Sequence, residues 1–356
     1  MGLAALSARI LVVNAGSSSL KLSVLAGDEA VETDVDLDAL AGIDAVGHRI
    51  VHGGTEFVEP VIVDEGVVRR LEALTDLAPL HQPKSLQALE LVGEKLPGVP
   101  AVACFDTAFH ARSPAAAATY ALPREWSLRW NLRRFGFHGL SHAYASRRAA
   151  ELARVPLEEL RIVTCHLGAG ASLAAVRGGV SVDTTMGFTP LEGLVMATRS
   201  GSVDPGLILW LEEHMGMPPS ELASALEHRS GLAGLAGTGD MKAVLQAEAA
   251  GDENAMLAVE VYLHRLRREI GSMAAALDGV DVLVFTGGVG ERSAAIRARA
   301  CEGLGFLGVR IDATRNARPE LDAEISSNGA TVSTFVVAAR EDVEIARGVR
   351  SALALE

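Results

Sequence analysis

Cysteine is scarce in this chain. Cys104, Cys165 and Cys301 are the three in 356 residues, an odd number, widely spaced and without a CxxC pair. Such spacing indicates neither a disulfide framework nor a zinc knuckle, and it suits a reducing, cytoplasmic compartment. Aromatic residues are only 4%, so platforms for stacking bases or sugars are few. Basic charge is also short: 32 Lys and Arg face 45 Asp and Glu, a net charge of −13. A field of that sign argues against nucleic acid as a partner. Long apolar runs are missing too. The longest stretches without Asp, Glu, Lys or Arg, residues 162–176 and 325–339, are too short to span a bilayer. The N-terminus has no basic region before its apolar residues, and Leu6 breaks the myristoylation pattern, so no targeting or membrane segment is expected.

What is present is a globular composition, 49% apolar and 22% charged. At this length two domains are expected. Short β-type runs occur at 9–13, 21–25, 45–51 and 101–105. They recur at 161–166, 172–176, 180–183, 280–285 and 331–337. Helical patterns occupy 67–74, 85–94, 141–155, 204–214, 254–277 and 342–353. Residues 111–134 are irregular and read as a crossover between domains. Each half opens with a strand, a Gly-rich turn and a second strand. That echo predicts two similar α/β domains facing a central cleft, where ligands bind.

Several motifs carry chemistry. The turn Asn14-Ala-Gly-Ser-Ser-Ser-Leu-Lys21 can ring a phosphate with backbone amides while Lys21 neutralises it. It is not a Walker A loop, and a plain hairpin turn with solvated serines is the alternative. Gly47-His-Arg-Ile-Val-His-Gly-Gly54 ends a strand with basic groups: Arg49 for a ligand, or an ordinary solvated edge. Asp106 sits at a strand's C-terminal end, where open α/β sheets bind ligands, and could equally cap a helix. His138 and His142 have i, i+4 spacing, but no third zinc ligand accompanies them. Glycines 136 and 139 give His138 room to approach a ligand instead. Arg199, alone in the apolar loop 185–205, reads as ligand-bound or as paired with Asp204 or Glu192. Three further Gly-rich turns, at 166–170, 234–242 and 287–291, join the first as parts of an extended polyphosphate site.

Taken together, ILVVNAGSSSLK, GHRIVHGG, CFDTAFH, RRFGFHGLSH, HLGAGASL and DTTMGFTPLEGLVMATRSGSVDP resemble the acetate kinase family of the sugar kinase, Hsp70 and actin superfamily. The resemblance covers nearly the whole chain. It implies two duplicated ribonuclease H-like domains, 1–110 plus 343–356 on the acyl and phosphate side and 111–342 on the nucleotide side. It implies reversible transfer from ATP to acetate, giving acetyl phosphate and ADP, with Mg2+ (or Mn2+) and a homodimer. Asn14 and Glu341 match the metal-associated residues. Ser17, Ser19 and Lys21 match the first phosphate turn. Arg49, His138 and Arg199 match the groups that bind the migrating phosphoryl, and Asp106 the catalytic carboxylate. Val51, Leu80, Phe137 and Pro190 match the pocket for the substrate methyl. His166, Leu167, Gly168, Ala169 and Gly170 match one nucleotide turn. Asp240, Met241 and Lys242 match a second, and Gly288, Val289, Gly290, Glu291 and Arg292 a third. The chain departs from the family pattern at Ala169 (usually Asn), Lys242 (usually Arg), Arg292 (usually Asn) and Gln82 (usually Asn). Lys cannot reproduce the planar contacts of Arg, so the first three bear on which nucleoside is accepted. The rival readings are a propionate or butyrate kinase, and a catalytically impaired nucleotide-binding sensor.

Overall fold

The apolar run near the start of the chain becomes a central strand, β1 (Arg9–Ala15), because both its faces find apolar cover. On one face Ile10 and Val12 pack with Val343, Ile345 and Val349 of the helix Glu341–Leu353. On the other, Leu11, Val13 and Ala15 pack with Ala88 and Val92 of the helix Gln82–Lys95. The structure, a computed structural model, describes residues 7–15, 20–33, 35–78, 82–317 and 321–355. It divides into two compact units. One comprises Met1–Ala111, Phe137–Tyr144 and Arg340–Glu356, the other Arg112–Gly136 and Ala145–Ala339. The last helix therefore returns to the first unit. The segment Phe137–Tyr144, with His138, also packs there.

In the first unit β1 is followed by β2 (Leu20–Ala26), β3 (Glu29–Thr33), β4 (Ala45–Ile50), β5 (Val61–Ile62) and β6 (Ala101–Phe105). The sheet runs β3-β2-β1-β4-β6-β5. The first three strands form an antiparallel meander, β4 and β6 run parallel to β1, and β5 is an antiparallel edge.

The second unit repeats this plan with β7 (Arg161–Leu167), β8 (Ala171–Arg177), β9 (Val180–Thr184), β10 (Val282–Thr286), β11 (Ala323–Glu324) and β12 (Ser333–Val336). Its order, β11-β12-β10-β7-β8-β9, is the first read from the other edge. The meander is β7–β9, β10 and β12 run parallel to β7, and β11 is the antiparallel edge. The duplicated ribonuclease H-like arrangement expected from the sequence is thus present in both sheets.

Several boundaries move for identifiable reasons. The helix expected from residue 204 begins at Pro205, because Asp204 is its cap and accepts from the Gly206 amide at 2.9 Å. The Gly-rich stretch at 287–291, expected as a turn, forms the short helix Gly287–Arg292, and the Glu291 carboxylate folds back to accept from the Gly287 amide. The irregular stretch 111–134 contains the helices Ala115–Ala118 and Arg124–Trp130. Helices at Pro219–His228, Met241–Ala249 and Ala294–Glu302 were not apparent from periodicity.

One glycine fixes how closely the last helix lies on the first sheet. A Cβ on Gly47 would come within 2.5 Å of Ile345 Cγ2 and 2.7 Å of Val349 Cγ2. Both neighbours are β-branched and stiff at χ1. Gly47→Ala should therefore destabilise the protein by about 1–3 kcal/mol through overpacking, read as a lower urea midpoint. An unchanged midpoint would show that the helix is free to shift.

Candidate functional site

In the first unit the parallel strands β1, β4 and β6 bring their C-terminal ends side by side, the usual ligand end of an open α/β sheet. Each supplies one polar group there: Asn14 from β1, Arg49 from β4, and Asp106 from the residue after β6. Glu341 enters from the first turn of the last helix. These four side chains form one network. Arg49 Nη2 donates to Asp106 Oδ2 at 2.6 Å, and Nε reaches both carboxylate oxygens at 3.1 and 3.2 Å. Arg49 Nη1 donates to Asn14 Oδ1 at 3.0 Å and lies 3.3 Å from Glu341 Oε2. Asn14 Nδ2 in turn donates to Glu341 Oε2 at 2.8 Å. Burial works against the Arg49 cation, but the charges of Asp106 and Glu341 outweigh it and push its pKa up. Burial also raises the Asp106 carboxyl, against the pull of Arg49. The fork-to-carboxylate geometry keeps this buried pair hydrogen-bonded throughout.

The segment after the crossover is fastened to Asp106. The Gly139 amide donates to the Asp106 carbonyl at 2.9 Å, and a Cβ on Gly139 would lie 2.2 Å from that oxygen. The backbone of His138 hydrogen-bonds the Asp106 carboxylate, and its φ of 56° places His138 in the left-handed region. Val51 and Phe137 are buried, and the ring of His52 stands edge-on to that of Phe137 with centroids 5.5 Å apart. Gln82 Nε2 reaches the carbonyls of His52 and Leu71, at 3.2 and 3.3 Å, so this departure from the family pattern ties the helix Gln82–Lys95 to the loop after β4. Lys21 is exposed on β2 opposite Asn14. Ser17, Ser19 and Leu80 lie outside the described residues.

In the second unit the three expected nucleotide turns do come together. Gly168 and Ala169, Asp240 to Lys242, and Gly288, Val289 and Arg292 line one cavity of about 760 Å³. Along one wall runs a single face of the helix Met241–Ala249, exposing Met241, Lys242, Leu245, Gln246 and Ala249. The last three carried no sequence signal, because a lining helix shows only its own periodicity. Leu232 and Tyr262 complete the apolar lining. The remaining turn residues stand behind the cavity rather than in it. Leu167 is fully buried, and its backbone lies within 3.1 Å of where a Cβ on Gly287 would sit. Gly290 is buried, and Glu291 is spent on the amides of Gly287 and Ala339 at 3.1 and 2.9 Å. His166, the last but one residue of β7, lies beside Thr286, and Gly170 closes the turn by accepting from the Gly168 amide at 2.9 Å. Asp240 caps its helix through the Lys242 amide at 3.0 Å, so this turn presents backbone rather than its carboxylate.

Arg199 belongs to this second unit. Neither acid suggested by the sequence pairs with it. Glu192 is held by Arg134 and Tyr120, both at 2.7 Å, and Asp204 is a helix cap. Arg199 Nη1 instead donates to the Pro190 carbonyl at 2.6 Å, which gives Pro190 a holding role. Burial lowers the Arg199 pKa, with Glu227 opposing. Among the described residues this cation forms no salt bridge.

Comparison with known proteins identifies the family. The family model described as the acetokinase family matches residues 29–347. An acetate kinase from a Synechococcus species is 50% identical over 318 residues, covering 89% of this chain and 78% of its own. The crystal structure of Porphyromonas gingivalis acetate kinase matches with a TM-score of 0.88 at 34% identity, covering 98% of this chain and 100% of that one. That of a Francisella tularensis propionate kinase matches at 0.87 and 34%, covering 96% and 98%.

Three imidazoles in the first unit give the fold an acid limit. His48, His52 and His110 are each pushed by burial from 6.5 down to about 4. The unfolded chain takes up their protons near 6.5 while the folded one resists until about 4. Their contribution is whole above 6.5 and is lost as pH falls between those values. The urea midpoint should fall clearly from pH 7 to pH 5. Equal midpoints would contradict the burial of neutral imidazoles.

Proposed function

The chain belongs to the acetokinase family, and on that footing we propose that it moves the γ-phosphoryl group of ATP to acetate in one in-line step. An acetate oxygen forms the new bond to phosphorus, the bond to the bridging oxygen breaks, and ADP leaves. No proton has to move, because a carboxylate with an ordinary pKa is already ionised at pH 7. The observation that carries this reading is the Arg49 and Asp106 network at the strand ends. It offers an anion-binding cation whose position is fixed by a carboxylate, and it leaves no general base to spare. Asp106 orients Arg49. Arg49, His138 and Arg199 neutralise the charge spread over the equatorial oxygens, where positioning and electrostatics supply most of the acceleration.

Oxygen donors suit magnesium, which takes one or two protein oxygens and completes its shell with phosphates and water. Asn14 and Glu341 offer such a pair, and among the described residues no cluster of three His, Cys, Asp or Glu competes with it as an all-protein cage. When bound, the ion would neutralise phosphate charge. The cavity at 168–169, 240–242 and 288–292 takes the nucleotide in this reading. Lys242 and Arg292 are the cations in its lining. No helix among the described residues is long and apolar enough to cross a membrane. A cytoplasmic homodimer is part of the proposal. Leu207, Trp210 and Met215, exposed along one side of the helix Pro205–Met215, support it as apolar surface suited to a second copy.

The assay is direct. Purified protein with magnesium, ATP and hydroxylamine should form hydroxamate from acetate. No hydroxamate from acetate, propionate or butyrate would sink the kinase reading, and a preference for butyrate would displace acetate as the substrate. Discrimination by one methylene is worth only about 1–3 kcal/mol, so all three acids belong in the test. Arg199→Ala should lower kcat by about 10³ or more while ADP still binds. Near-normal turnover would remove Arg199 from the mechanism.

A further inference from the structure

Behind the third nucleotide turn lies an arginine with no counter-ion among the described residues. Arg297, on the helix Ala294–Glu302, has 0% of its surface exposed. Its guanidinium meets only neutral acceptors. Nη1 donates to the carbonyls of Gly290 and Glu291 at 2.7 and 2.8 Å. Nε donates to Asn316 Oδ1 at 2.8 Å and Nη2 to the Asn316 carbonyl at 2.7 Å. Among the described residues no carboxylate pairs with it. Arginine stays charged at any depth of burial, and a buried cation without a partner is costly to hold.

The two carbonyls it grips are the last but one and last but two of the helix Gly287–Arg292. That helix presents Gly288, Val289 and Arg292 to the cavity. Arg297 thus grips the helix from the side away from the cavity. Asn316 completes the clamp, its Nδ2 donating to the Ala294 carbonyl at 2.9 Å.

We propose that Arg297 is a positioning residue for the nucleotide: it sets the Gly287–Arg292 helix against the cavity, and its uncompensated charge favours a polyphosphate there. The inference rests on the nucleotide reading of that cavity. On binding, phosphate charge supplies the counter-ion that the protein withholds.

Two substitutions in the full chain separate this from a purely structural role. Arg297→Lys keeps the charge but cannot serve Gly290, Glu291 and Asn316 together. Asn316→Asp keeps the acceptor for Nε but places a carboxylate on the guanidinium. ADP affinity is measured by calorimetry, with apo Tm and steady-state constants alongside. Each variant should weaken ADP binding about tenfold, a difference of about 1.4 kcal/mol, and raise KM for ATP in parallel. KM for acetate and kcat at saturation should stay near wild type, and the Tm of Asn316→Asp, which loses the Nδ2 bond to the Ala294 carbonyl, is read separately from its ADP affinity. If Arg297→Lys does not fold, Asn316→Asp decides. Wild-type affinity for ADP in the folded variants, with only Tm lowered, would overturn the inference. Wild-type protein that binds no ADP at all would instead sink the nucleotide reading itself.

Discussion

The ion pair between Arg49 and Asp106 is the constraint around which the first unit is organised. Burying it in isolation would be unfavourable, since removing two charges from water costs more than a loose pair returns. Here three hydrogen bonds join the two groups, and Asn14 and Glu341 take the remaining guanidinium nitrogen. Satisfying that guanidinium requires β1, β4 and β6 to end at one level, and the last helix to return across 327 residues of chain to set Glu341 against Asn14. Gly47 permits that return by leaving room for Ile345 and Val349. The same arrangement suits the chemistry proposed for it. A carboxylate committed to orienting an arginine is poorly placed to accept a proton, and phosphoryl transfer to an ionised acid does not ask it to.

The second unit solves a different problem. Its cavity is bounded by backbone turns, and each turn is fastened by hydrogen bonds of its own. The Ala197 amide holds the Ala169 carbonyl at 3.0 Å, Asp240 caps its own helix, Glu291 folds back on Gly287, and Arg297 closes the far end. Polar side chains that looked like ligand contacts in sequence are therefore used to fix backbone. The longer polar side chains lining the cavity are Lys242, Gln246 and Arg292.

Much of this was legible in the sequence. The strand Ala101–Phe105 and the long helix Glu253–Ala276 were read almost to the residue, because uninterrupted apolar period marks them. The duplicated plan was visible as strand, Gly-rich turn, strand in each half. The short helices around the cavity were not, because Gly287–Arg292 owes its form to a capping carboxylate rather than to its own propensity. Residue identities at the strand ends could be read, but the bonds between them could not. The lone Arg199 left two pairings open, and only the structure showed Glu192 taken by Arg134 and Tyr120. Neutral burial of His48, His52 and His110 left no mark in the sequence, since it depends on neighbours brought in by the fold.

The central claim is that the phosphoryl group passes between donor and acid in a single displacement, with no residue of this chain taking it on the way. The most direct measurement is the stereochemical course at phosphorus, using ATP made chiral at the γ position with oxygen isotopes and acetate as acceptor. A single in-line step predicts inversion of configuration in the acetyl phosphate formed. Retention would mean two displacements through a phosphorylated enzyme, and would contradict the account.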